Sequence, residues 1–213
     1  MESQVRGGTR WKRFAVVMVP SVAATACIGV ALAQGALAAS FSVSGQSFKV
    51  TAKELNGKGF SQYGAIDEGY TLDGKKTAHP VAVSAFTSAS IEKMCQSVVT
   101  PNIPLLGSVT LRLEAGDSSD EDKQVAATNL YIDVEDLGAD AEFTNIDIGV
   151  AGKDLKGAKM KANETANPFG FAQQADSVKL TKVKQTAWAT TAGTFKLPGL
   201  SMKLSTGTSR ECY

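Results

Sequence analysis

The chain has 213 residues, of which 43% are hydrophobic and 20% charged, with a formal net charge of +1. This composition excludes collagen-like and disordered classes. Residues 39–213 carry 18 basic and 20 acidic side chains, and so balanced a body gives no electrostatic reason to expect nucleic acid as a partner.

At the front, Arg6, Arg10, Lys12 and Arg13 precede an apolar run from Phe14 to about Ala39. A basic flank, an apolar stretch and small residues are the parts of a secretory signal. Ala36-Leu37-Ala38 supplies an A-x-A site with cleavage expected between Ala38 and Ala39, and Ala31-Leu32-Ala33 supplies a second. The run also meets the roughly 20 residues needed to span a bilayer, so a signal peptide and a retained anchor both fit. In either case the basic flank stays cytoplasmic, which places residues 40–213 outside the cell membrane, secreted or membrane-anchored. Cys27 after Ala24-Thr25-Ala26 faintly suggests lipidation, but the apolar residues Ile28 to Ala33 continue past it.

Setting residues 1–38 aside leaves 175, room for one domain with a substantial core. Phe41 to Gly45 and Phe48 to Ala52 alternate apolar and polar residues, as half-buried strands do. Residues 65–78 are polar and read as a loop or ragged hairpin end. Val81, Val83 and Ala85 restore the alternation. Ser90 then reads as an N-cap, with Ile91, Met94, Cys95 and Val98 at helical spacing, and Pro101 and Pro104 ending the helix.

Strand signals return at Val109, Leu111 and Leu113, at Leu130, Ile132 and Val134, and at Ile146, Ile148 and Val150. The acidic run Asp117 to Asp122 reads as a solvated hairpin tip, because it lacks calcium-loop spacing and its glycine. Residues 161–176 read as a long loop. Val178 to Ala189 and Thr194 to Leu204 then form a last strand pair. The predicted fold is mainly β: a long twisted antiparallel sheet, sandwich or partial barrel with one short helix. The echo of Val50 to Gly57 in Val150 to Gly157, and more loosely in Ile132 to Ala139, makes a β-solenoid the alternative. Cys95 and Cys212 are the body's two cysteines, and in an exported domain they are expected to form one disulfide.

Chemical motifs are sparse. His79 is the chain's one histidine, and no G-x-S-x-G elbow accompanies Ser61 or Ser90. Ser90-Ile-Glu-Lys93 has S-x-x-K spacing without its partner motifs. One histidine and two pairable cysteines make no zinc site, and no nucleotide-binding glycine pattern is present. No cofactor and no metal is expected.

The opening Val5 to Phe14, the apolar segment ending at Ala39, and Phe48-Lys-Val-Thr-Ala-Lys-Glu-Leu55 together resemble an uncharacterised family of actinobacterial envelope proteins. Members are sometimes labelled cholesterol esterase. The resemblance implies an exported or membrane-tethered β-rich envelope protein. The leading expectation is a non-enzymatic binding or structural role, with a lipid or other apolar ligand as one candidate. An ester hydrolase and an accessory subunit docking to a membrane protein are the alternatives.

Overall fold

A computed structural model describes residues 44–162 and 164–213. The expectations for the front segment, its Ala38–Ala39 cleavage site included, lie outside these residues. The described chain is mainly β, with ten strands: β1 Phe48–Tyr70, β2 Lys76–Glu92, β3 Met94–Ile103, β4 Gly107–Ala115, β5 Val125–Thr144, β6 Asp147–Ala151, β7 Thr165–Ala166, β8 Phe171–Thr191, β9 Thr194–Lys196 and β10 Ser201–Thr206.

Four long strands close on themselves. Antiparallel pairing runs β1 to β2, β2 to β5, β5 to β8, and from β8 back to β1. The mainly β expectation holds, the partial barrel being a closed one, and no solenoid is present among the described residues. The echoed segments occupy unlike places: Val50 to Gly57 lies within β1, Ile132 to Ala139 within β5, and Val150 to Gly157 leaves β6 for a short 3-10 turn.

Four strands make a narrow barrel, so its filling is tightly constrained. Phe60 and Phe86 meet inside with ring centroids 5.6 Å apart, and Phe143 packs at a tilt against Phe60 at 5.4 Å. Gly57 must be glycine, because a Cβ there would lie 2.3 Å from the Phe86 ring. Around these rings pack Leu55, Ile91, Leu130, Ile132, Val178 and Leu180.

Each barrel strand also carries one residue in the left-handed region: Gly59 (φ 60) in β1, Lys93 (φ 53) where β2 runs into β3, Asn129 (φ 47) in β5 and Lys182 (φ 55) in β8. On either side of each, buried residues lie three apart: Gly57 and Phe60, Ile91 and Met94, Ala127 and Leu130, Leu180 and Val183. A left-handed residue resets which face the following side chains present and sharpens the local coil, while the β1–β2, β1–β3, β2–β5 and β1–β8 registers run past it unbroken.

The predicted helix is therefore a strand. Ile91 to Val98 belongs to β2 and β3, which pair with β1 in one continuous register, Glu54 opposite Glu92 and Thr51 opposite Cys95. The i, i+3 spacing of Ile91 and Met94 comes from the left-handed backbone of Lys93, which resets the alternation of faces, rather than from a helical turn. Ser90 caps nothing, and pairs with Asn56 on one side and Ala126 on the other.

Two further layers cover the barrel. Beyond Lys93, β3 leaves to pair with β4, and β4 with β10. The acidic run is not a hairpin tip, since it joins β4 to β5, which do not pair. The expected terminal strand pair is also absent: β8 pairs with β1, β5 and β6, and β10 with β4. The chain's last residues lie on the β3–β4–β10 layer, where Cys212 is disulfide-bonded to Cys95 with Cα atoms 5.9 Å apart. On the other side, residues 152–166 cross the outer wall of the barrel as a strap. The backbone amide of Ala158 donates to the Gly59 carbonyl at 2.9 Å, and a Cβ on Gly157 would meet that carbonyl oxygen at 2.5 Å.

Candidate functional site

The residues examined for hydrolase chemistry do not converge. Ser61 is paired opposite Ala85, and His79 opposite Asp67, six residues further along the same hairpin. At about 3.3 Å per residue this separates the serine from the histidine by roughly 20 Å, and Ser90 lies further still. Ser61 is fully buried with an unpartnered Oγ, while His79 stacks flat on Trp188 at 3.6 Å. Among the described residues no cluster of three or more His, Cys, Asp or Glu is arranged to hold a metal ion. The acidic run folds locally, with Asp120 accepting from the Asp122 amide and pairing with Lys123.

Titratable groups do gather under the strap. Lys161 donates to both oxygens of Asp133 at 3.0 Å, and its Nζ lies 3.2 Å from Glu164. Asp133 is 2% exposed. The strap is tied further by the Tyr131 hydroxyl, which donates to the Lys159 carbonyl, and by the Lys161 amide, which donates to the Tyr63 hydroxyl. Burial pulls the Lys161 ammonium down, but the Asp133 and Glu164 charges outweigh it and the net shift is upward. Burial, with the Glu164 charge, raises the Tyr63 phenol. The arrangement fastens the strap to the barrel wall.

Asp67 lies beside this cluster with one carboxylate oxygen unpartnered. Burial first, and then the Asp133 charge, push it up to about 6 from an ordinary 3.8. A native carboxyl that titrates above its unfolded value favours the protonated form. Its stabilising contribution is complete below about pH 4 and is lost as pH rises through about 6. Asp67→Asn, which cannot ionise, therefore gains on the parent at about pH 8 and not at about pH 4. With allowance for solvent screening the gain is about 1 kcal/mol, or roughly 2–4 °C in thermal scans. Equal gains at both pH values would show that Asp67 does not titrate in this window.

A groove of about 800 Å³ opens where the barrel meets the β3–β4–β10 layer. Its lining includes Lys53, Lys93, Arg112, Lys123, Lys182 and Lys184, against Glu114 and Asp117. Register explains the concentration. Pairs on either side place Lys53 of β1 opposite Lys93 on one neighbouring strand and opposite Lys182 of β8 on the other. Two of these three lysines, Lys93 and Lys182, have left-handed backbones. Like charges directly opposite on adjacent strands are destabilising, so a row of three is a local cost.

Partial compensation comes from the rim. Lys53 pairs with Glu92 at 2.7 Å, Lys182 with Asp140 at 2.9 Å and Lys93 with Asp117 at 3.6 Å. These lysine side chains are 62%, 84% and 64% exposed. Exposed pairs are worth at most about 1 kcal/mol, so the lysines are free to exchange a rim carboxylate for a ligand anion. Arg112 is shared with an adjoining depression that also contains Lys203 and Arg210. The overall charge balance concealed this groove, since only the strand register brings its lysines together.

The barrel's own apolar cavity, lined by Leu55, Phe60, Phe86, Leu137, Phe143 and other residues, is about 140 Å³. Ligand pockets typically run to about 300–1,000 Å³. The barrel interior is a packed core with little room for a lipid. Among the described residues no helix is long and apolar enough to cross a membrane.

No curated protein and no solved structure is found to be similar to the chain. One family model matches residues 44–213, and on that match the chain belongs to DUF6230, a family of unknown function.

Proposed function

We propose that the body is a non-enzymatic binding module, delivered to or held at the outer face of a membrane by the front segment, whose groove takes an anionic chain. The ligand chemistry is a run of phosphate or carboxylate groups. The observation that carries this reading is the lysine row Lys182, Lys53 and Lys93, a locally unfavourable arrangement set in an open groove beside Arg112, Lys123 and Lys184. The body as a whole is slightly acidic, so the cations are gathered there and not spread evenly.

Export to the outer face is supported by the basic flank and apolar run at the front. An ester hydrolase is less well supported, because neither Ser61 nor Ser90 meets the chain's one histidine. The test uses labelled polyphosphate and labelled poly-glutamate with the full chain in detergent, at low and at physiological salt. Binding should weaken with salt, as expected for charge neutralisation. Lys53→Gln/Lys93→Gln/Lys182→Gln should lower affinity about tenfold or more, equivalent to about 1.4 kcal/mol, with a melting temperature no lower than the parent's, since the like-charge cost is relieved. Absence of binding by the parent, or equal binding by the variant, overturns the proposal.

A further inference from the structure

The turn between β3 and β4 is built against ordinary turn chemistry. Leu105 sits in the left-handed region (φ 69), and the Leu106 amide donates to the Ile103 carbonyl across it. Such positions normally fall to glycine or asparagine, and a bulky side chain there carries strain. Leu105 is nevertheless fully exposed at 106%, and Leu106 is 55% exposed. The nine residues from Thr100 to Ser108 contain no charge. A strained, uncharged, apolar tip gains nothing from water.

The path of the chain shows what the tip can meet. The Gln46 side chain donates to the Val99 carbonyl at 2.7 Å, so the described chain enters the fold beside the outer half of β3. Seven residues separate Gln46 from the end of the apolar run at Ala39, which spans at most about 25 Å. Six residues separate Val99 from Leu105, a similar reach of at most about 21 Å. Charge agrees with this placement. Behind the tip, the first charged residue on β1 is Lys49, on β4 Arg112, on β10 Lys203 and on the terminal tail Arg210. On the β3 side it is Lys93. All five are cationic; Lys49 is paired with Glu211, Arg112 with Glu114 and Lys93 with Asp117, and Lys203 and Arg210 are the two whose sign suits an anionic lipid surface.

We propose that the β3–β4 tip, through Leu105 and Leu106, inserts into the interfacial region of the same anionic bilayer to which the front segment tethers the chain. The inference rests on the tether reading of that segment. Burial of two leucines adds to the tether.

The test compares full-length Leu105→Trp and Ile148→Trp in vesicles of phosphatidylcholine and phosphatidylglycerol with brominated acyl chains. Emission is read as the difference from the parent, which carries Trp11 and Trp188. Ile148 is also exposed, at 66%, on β6, which pairs with β8 around Gln173, at the end of β8 remote from the Ala187 that faces Phe48. The added Leu105→Trp emission should be quenched about twofold or more relative to that of Ile148→Trp, as expected for an interfacial depth. Equal quenching in chains that float with the vesicles overturns the tip contact and leaves the tether standing. Failure of the full chain to float overturns the tether, and the tip contact with it.

Discussion

Lys161→Met lowers stability by about 3–5 kcal/mol near neutral pH, the cost of leaving a buried charge without its partner. The substitution retains a long apolar side chain and removes the ammonium that both oxygens of Asp133 accept from. Asp133 is 2% exposed, and Glu164 is nearly as well covered. Without Lys161 those carboxylates must protonate or drag water beneath the strap. The penalty should shrink in acid, where protonation is cheap, and Asp133→Asn added to Lys161→Met should recover part of the loss. Urea unfolding of the parent, both single variants and the double variant measures the coupling. A Lys161→Met loss below about 1 kcal/mol would place the pair in the class of solvated surface bridges.

Reduction of Cys95–Cys212, or its replacement by serines, lowers stability by about 4–5 kcal/mol if the effect is loop closure in the unfolded chain. The bond spans a sequence separation of 117. For a domain of this size the loss is on the order of 10 °C in thermal scans. Other contacts hold the same tail: Arg112 donates to the carbonyls of Arg210 and Glu211, the Thr110 hydroxyl donates to the Gly207 carbonyl, and Lys49 pairs with Glu211 at 2.6 Å. Most of these lie at the surface and are individually weak. A shift under about 2 °C would mean that they suffice without the covalent link.

Strand alternation was legible wherever no left-handed residue intervened. Val109, Leu111 and Leu113, and Leu130, Ile132 and Val134, lie in β4 and β5 as their spacing predicts. It misled at Ile91 to Val98, because the left-handed Lys93 resets the alternation and gives an apparent helical period without any break in register. Asn129 and Lys182 reset the alternation in the same way within β5 and β8. The site was less legible than the fold. Lys53, Lys93 and Lys182 are distant in sequence and become neighbours only through pairing on both sides of β1. Lys161 sits in a stretch that reads as loop, and its role depends on a partner inside another strand.

Closure of the barrel also dictates when this protein can exist. The seam joins β1 to β8, so the body's first strand stays unpaired along one edge until residues 171–191 have arrived. Pairings this remote close slowly, since a long loop must be ordered before any contact rewards it. A nascent chain thus lacks its closed barrel for most of its synthesis. It locks only when residues 171–191 are in place.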